Sequence, residues 1–202
     1  MKPTKVYQFK ITLADVKPPV WRRIQVPEDY SFWDLHVAIQ DAMGWQDYHL
    51  HEFKINKPNS GENFPIGIPD DETDWSRATL PGWEIAIADF FTMNNRSATY
   101  DYDFGDGWRH HVRLENIEKA QPALEYPRCV SGARACPPED VGGSGGYEYF
   151  IQVINDPEHD DHSRMLEWIG ESFDPDYFDP GEVWFDDPKK RMEIAFGDDS
   201  AA

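Results

Sequence analysis

From residue 5 to residue 14 the side chains alternate: Tyr7, Phe9, Ile11 and Leu13 on one side, Val6, Gln8, Lys10 and Thr12 on the other. A period of two predicts a strand buried on one face. Residues 15–19 hold two prolines, which fix φ and cannot donate to a ladder, so the chain turns there. Residues 20–26 predict a second strand, and the short connection favours antiparallel pairing. The period then lengthens. Phe32, Leu35, Ile39, Ala42 and Met43 recur at helical spacing, with Ser31 as N-cap, Asp34 three residues later, and Gly44 as terminator. Residues 50–55 return to a strand pattern. The opening unit, residues 1–56, therefore reads β-β-α-β.

Beyond it the signals are less regular. Residues 57–83 read as a loop, punctuated by Pro58, Gly61, Pro65, Gly67, Pro69, Pro81 and Gly82 and carrying the acidic run Asp70-Asp71-Glu72. Residues 84–91 predict a short helix with Ile87, Phe90 and Phe91 on one face. Residues 98–104 and 108–116 form the clearest hairpin, around Gly105-Asp106-Gly107. Residues 129–146 read as an irregular loop, 147–155 and 164–170 as helices, and 179–196 as a final amphipathic stretch before a polar tail. The expectation is an α+β fold with a mixed sheet, one domain over residues 1–202, a later hairpin within 98–116, and C-terminal helices after the irregular loop of 117–202.

Composition narrows the partners. Thirty-eight acidic against 19 basic residues give a formal charge of −19, while 8 Trp, 9 Tyr and 12 Phe supply a core. Nucleic-acid binding rests on cationic neutralisation of phosphates, and an acidic field opposes it, as it opposes an anionic membrane. The basic clusters Arg22-Arg23 and Lys189-Lys190-Arg191 are too short to reverse that. No basic start runs into an apolar stretch and none is long enough to span a bilayer, so a cytoplasmic address without a membrane is expected. The two cysteines, Cys129 and Cys136, are then expected as thiols.

The hairpin carries the candidate chemistry. If Phe104 pairs with Trp108, one face holds Tyr100, Tyr102, Phe104, Trp108, His110, Val112 and Leu114, and the other Thr99, Asp101, Asp103, Arg109, His111 and Arg113. Asp103 then opposes Arg109 and Asp101 opposes His111, which accounts for the acids structurally. The catalytic alternative has Asp103, Asp106 and His110 converging at the turn as metal ligands or acid and base. Strand alternation puts Asp103 and His110 on opposite faces, which favours the structural account.

Cys129 and Cys136 lack zinc-knuckle spacing and would need His110 or other histidines, so no metal or other cofactor is expected. His49-Leu50-His51 puts two imidazoles on one face of a strand, read as a pair of exposed side chains in preference to a metal face. Gly142, Gly143, Gly145 and Gly146, running into Tyr147 with Glu139 and Asp140 just before, outline an anion cradle at a helix start. The P-loop lysine and serine or threonine are missing. Tight turning and close packing are the favoured meaning of these glycines.

Taken together, Pro18-Pro19-Val20-Trp21-Arg22-Arg23, the run from Tyr102 to His110, and Cys129…Gly132…Cys136-Pro137-Pro138-Glu139-Asp140-Val141-Gly142-Gly143 through Tyr147 resemble the plasmid Ri third-open-reading-frame-like family. The resemblance covers nearly the whole chain. It implies an α+β fold with a β-grasp-like opening and no characterised activity. Some relatives carry a transposon-resolvase label, consistent with association with mobile elements, but this sequence lacks the serine among arginines and the basic helix-turn-helix that such chemistry needs. The functional expectation is a binding or adaptor module for a protein or small-molecule ligand, leaning away from an enzyme. The alternatives are a metal-dependent hydrolase or nuclease-like enzyme at Asp106 and His110, and anion or nucleotide binding at residues 142–146.

Overall fold

The structure, a computed structural model, describes residues 3–58, 60–69, 79–170 and 172–197. Its elements are β1 (Lys5–Leu13), β2 (Trp21–Pro27), α1 (Phe32–Met43), β3 (His51–Asn56), β4 (Asn63–Gly67), β5 (Leu80–Pro81), α2 (Ile87–Phe90), β6 (Ser97–Tyr102), β7 (Trp108–Lys119), β8 (Arg128–Ala133), α3 (Gly143–Ile154), α4 (His162–Ile169) and α5 (Pro188–Phe196), with a 3-10 turn at Pro180–Glu182. The strands form one mixed sheet in the order β5-β4-β3-β6-β7-β1-β2-β8. All pairings are antiparallel except β4 with β5. The α+β class is as the sequence implies. The opening elements follow one another as β-β-α-β, but in the sheet the hairpin β6–β7 lies between β1 and β3.

α1 forms where its signals predict. Asp34 N donates to Ser31 Oγ at 3.1 Å and Ser31 N donates to Asp34 Oδ2 at 2.8 Å, a complete capping box. Gly44, at φ 97°, ends the helix by donating to the Gln40 carbonyl at 2.8 Å. The apolar stripe packs on the sheet face carrying Phe9, Phe53 and Tyr100: Phe32 meets Phe53 edge-on at 5.2 Å, and His36 and Gln40 both reach the Tyr100 hydroxyl at 2.8 Å.

Two irregular-looking stretches hold structure. Within residues 57–83, β4 pairs along β3. Pro65 is tolerated because, among the described residues, β5 pairs only with Ile66 and Gly67 and gives the outer edge at Pro65 no ladder partner. Gly67 marks close packing, since a β-carbon there would lie 2.5 Å from the His51 carbonyl oxygen. The run Asp70-Asp71-Glu72 lies outside the described residues. Within residues 129–146, Arg128–Ala133 is the edge strand β8 on β2. The third helix begins at Gly143, four residues before the predicted start at Tyr147. The helix predicted over 84–91 is a single turn, Ile87–Phe90, and the stretch 179–196 divides into the 3-10 turn and α5.

The hairpin register also differs. Tyr102, and not Phe104, pairs with Trp108, so Asp101 opposes Arg109 and Thr99 opposes His111. Asp103 leaves the ladder with a left-handed backbone (φ 52°), and its carboxylate accepts from Gly105 N at 2.9 Å and Asp106 N at 3.2 Å. An aspartate that bonds the backbone ahead of it competes with ladder pairing. The turn thus spans residues 103–107, and Phe104 is 60% exposed instead of facing the core. Asp101, not Asp103, holds Arg109, at 2.8 Å, and Lys54, at 3.0 Å.

Candidate metal centre at the hairpin turn

Three segments distant in sequence meet at one end of the sheet: the α1–β3 connection, the β6–β7 turn and the residues before α3. Backbone demands bring them together. Trp45 Nε1 donates to the Pro137 carbonyl at 2.9 Å, Gln46 N donates to Glu139 Oε1 at 2.8 Å, and Asp103 N donates to the Leu50 carbonyl at 3.0 Å. Tyr102, buried at the end of β6, ties all three. Its hydroxyl accepts from Tyr48 N at 3.1 Å and donates to the Glu139 carboxylate at 3.2–3.3 Å. Burial, reinforced by the Glu139 charge, holds this phenol protonated far above the usual range, so it stays a donor.

At the centre stands His49. Its Nε2 lies 3.2 Å from Asp140 Oδ1, 3.6 Å from Asp103 Oδ2 and 3.7 Å from Glu139 Oε2. That nitrogen is buried and makes no hydrogen bond of acceptable geometry, although the ring as a whole is 30% exposed. His49, Asp103 and Asp140 each bring a ligand atom within 4.8 Å of the other two. Two donors about 2.1 Å from one ion, at octahedral or tetrahedral angles, lie about 3.0–3.4 Å apart, close to the spacings around His49. Asp103 is fixed by its turn. Glu139 is fixed by Gln46 and Tyr102, and Asp140, 69% exposed, leaves one side open. An imidazole with carboxylate oxygens is a donor set suited to zinc, manganese or iron.

The residues singled out from the sequence divide. Asp103, Glu139 and Asp140 come together. Asp106 is beside them, but its Oδ2 accepts from Gly142 N at 3.0 Å, so its carboxylate is engaged at the start of α3. The glycine cradle therefore meets an anion of this same chain. Gly142 and Gly143 adopt φ of 94° and 68°, and a β-carbon on Gly143 would lie 2.4 Å from the Asp106 carbonyl oxygen. One on Gly146 would lie 2.0 Å from that of Val141, whereas Gly145 has open space. Tyr147 turns its ring into the core.

His110 remains on the apolar face, fully buried, with Nδ1 3.3 Å from the Tyr100 carbonyl and its ring edge-on to Trp45. Burial lowers its pKa to about 4, so it is neutral. Cys129 and Cys136 are free thiols pushed upward by burial, Cys136 to about 12, and neither belongs to the ligand group found among the described residues.

The two strand histidines do not form an exposed pair. His49 precedes β3 and enters the cluster, while His51 is buried and stacks on His36 with ring centroids 3.5 Å apart. Reading residues 50–55 as a strand beginning before His51 obscured that difference. The signal for His49 was its place just before the strand, next to a tyrosine.

No helix among the described residues is long and apolar enough to cross a membrane. A family model described as plasmid pRiA4b ORF-3-like protein matches residues 5–182. The uncharacterized protein y4hQ of Sinorhizobium fredii is 37% identical over 170 residues, covering 83% of this chain and 82% of that protein. The crystal structure of MM3350, a protein of unknown function from Methanosarcina mazei Go1, aligns with a TM-score of 0.85 at 44% identity, over 91% of this chain and all of the other. Neither relative has an assigned activity. The chain belongs to the plasmid pRiA4b ORF-3-like protein family.

Proposed function

We propose that this chain binds a divalent metal ion through His49, Asp103, Glu139 and Asp140 and uses it for hydrolytic chemistry at the open side of the site. The observation that carries the reading is the buried Nε2 of His49, which makes no hydrogen bond and faces carboxylate oxygens of two other segments at 3.2–3.7 Å. In a chain of charge −19, three carboxylates around one imidazole favour a cation over any other guest. A bound divalent ion lowers the pKa of a coordinated water towards neutrality.

The residues of this chain supply position and protonation. Tyr102 fixes Glu139 by donating to it, Asp103 is held by its own turn, and Asp140 borders solvent. The exposed rings of Tyr48 and Phe104 flank the ligands in the chain and would meet an approaching substrate. Asp106 and His110 have structural roles in this reading.

The test is metal analysis and calorimetry of the purified chain with zinc, manganese and iron(II). One ion per chain is expected, with at least tenfold weaker binding in His49→Ala and Asp103→Asn. A metal-dependent hydrolytic activity, sought on a panel of phosphate and carboxylate esters, should fall in the same variants. No uptake by the parent chain, or equal uptake by both variants, refutes the reading.

A further inference from the structure

We propose that the open face of the sheet binds a small phosphorylated molecule over Lys10, His111 and Arg113, independently of the metal centre. The strand pairings fix where these residues stand. One row across the sheet reads Ser97, Arg113, Lys10, Arg23 and Ser131, and the next reads Lys54, Thr99, His111, Thr12 and Trp21. Strand alternation puts both rows opposite the face of Phe9, Phe53 and Tyr100, on which α1 packs. Along β7, Arg109, His111 and Arg113 are exposed while Trp108, His110, Val112 and Leu114 are buried, so this side of the sheet meets water.

The charges on this face do not cancel. Arg23 holds Glu115 through bonds of 2.6 and 3.0 Å, Arg109 and Lys54 hold Asp101 at 2.8 and 3.0 Å, and Lys54 also reaches Glu52 at 2.8 Å. Those three acids are taken. Lys10 and Arg113 are left over: neither forms an ion pair or a side-chain hydrogen bond among the described residues. Lys10 rests over the Trp21 ring at 4.8 Å and acts on Glu115 only from a distance. Arg113 lies directly opposite Lys10 across the β1–β7 pair, and Arg23 directly opposite it on the other side. Like charges set opposite one another in a sheet repel and destabilise it. In a chain of charge −19, three adjacent cations reverse the local sign, and a bound anion would relieve their repulsion.

A shallow groove of about 420 Å³ adjoins these cations; its lining includes Lys54, Ser97, Thr99, His111 and Arg113 and no acid. That volume is within the range of small-ligand sites. A guanidinium grips phosphate oxygens bidentately, an ammonium adds a point charge, and the Ser97 and Thr99 hydroxyls beside them are able to donate. Two free cations side by side match a guest with more than one negative charge, which a phosphate carries and a carboxylate does not. Size separates a small guest from a polymer. Charges are screened over about 8 Å at physiological salt, and neighbouring strands lie about 4.8 Å apart. A compact anion over Lys10 and Arg113 therefore feels chiefly these cations. A long polyanion, nucleic acid included, extends past them to the acidic remainder of the chain and is repelled.

The experiment titrates the full chain, stripped of metal, with inorganic pyrophosphate by calorimetry at low and at physiological ionic strength. Saturable one-site binding is expected, weakening as chloride rises. Lys10→Gln and Arg113→Gln should each weaken it at least tenfold, while His49→Ala, altered at the metal centre, should bind as the parent does. Without pyrophosphate, Arg113→Gln should melt at or above the parent temperature, because it removes a like-charge contact. A short oligo-glutamate and a single-stranded oligonucleotide serve as competing probes, and both should bind more weakly than pyrophosphate. Tighter binding of either one overturns the assignment to a small phosphorylated guest. Absence of saturable pyrophosphate binding, unchanged binding in Arg113→Gln, or its loss in His49→Ala overturns the site itself.

Discussion

Replacing Asp106 with alanine separates the two roles that an acid at the hairpin turn could play. The carboxylate accepts one hydrogen bond, from Gly142 N at 3.0 Å, and stands where α3 presents its unpaired N–H groups. Removing a side-chain cap costs about 0.5–2 kcal/mol, and a hydrogen bond to a charged group nets about 1.5–3 kcal/mol. The bond is solvent-exposed, so about 1–2 kcal/mol is the expected loss. For a chain of this size that lowers Tm by about 2–8 °C, readable by calorimetric or circular-dichroism melting. Asp106→Asn retains an acceptor without the charge and should lose less than half as much. In both variants the metal stoichiometry of the parent should persist, because Asp106 is outside the ligand group. A variant that melts with the parent but takes up no ion would show that Asp106 is a ligand, and would refute both the capping role and the four-residue site.

Gly143→Ala should be more damaging: it combines a φ of 68° with a β-carbon 2.4 Å from the Asp106 carbonyl oxygen, for a loss of at least about 2 kcal/mol in urea denaturation. Asp47→Asn should change the pH dependence of stability. Burial, only partly offset by His51 and Arg191, raises the Asp47 carboxyl from 3.8 to about 6. Between those values the unfolded chain has released a proton that the folded one keeps, so stability falls as pH rises through about 4 to 6. The variant should lose about 2–3 kcal/mol less than the parent across that window, measured by denaturant titration at each pH; identical profiles would contradict the assignment.

How much was legible depended on whether the signal was local. The β1 alternation, the Ser31–Asp34 box and Gly44 act within a few residues, and each element formed where they predict. Gly67, Pro65 and Gly143 look like breakers when taken singly. Their partners (the His51 carbonyl, the outer edge of the sheet, the Asp106 backbone) come from far along the chain. The hairpin was visible but its register was not. Asp103 bonds forward to residues 105 and 106 and so withdraws itself and Phe104 from the ladder. Part of the site was legible as Asp103, Glu139 and Asp140, singled out for separate reasons. Their meeting with His49 depends on Trp45, Gln46 and Tyr102 joining three connections, which no spacing in the sequence expresses.

That joining has a consequence for the order of events during folding. The imidazole, the turn carboxylate and the two acids before α3 belong to segments that come together only once β3 lies on β6 and the chain as far as Asp140 has docked. A nascent chain that ends before Glu139 holds half a ligand set and gains little from the ion. A guest that binds only the assembled site stabilises the folded state by mass action. On the metal reading, the ion acts as a late fastener, rewarding chains that have already closed this end of the sheet.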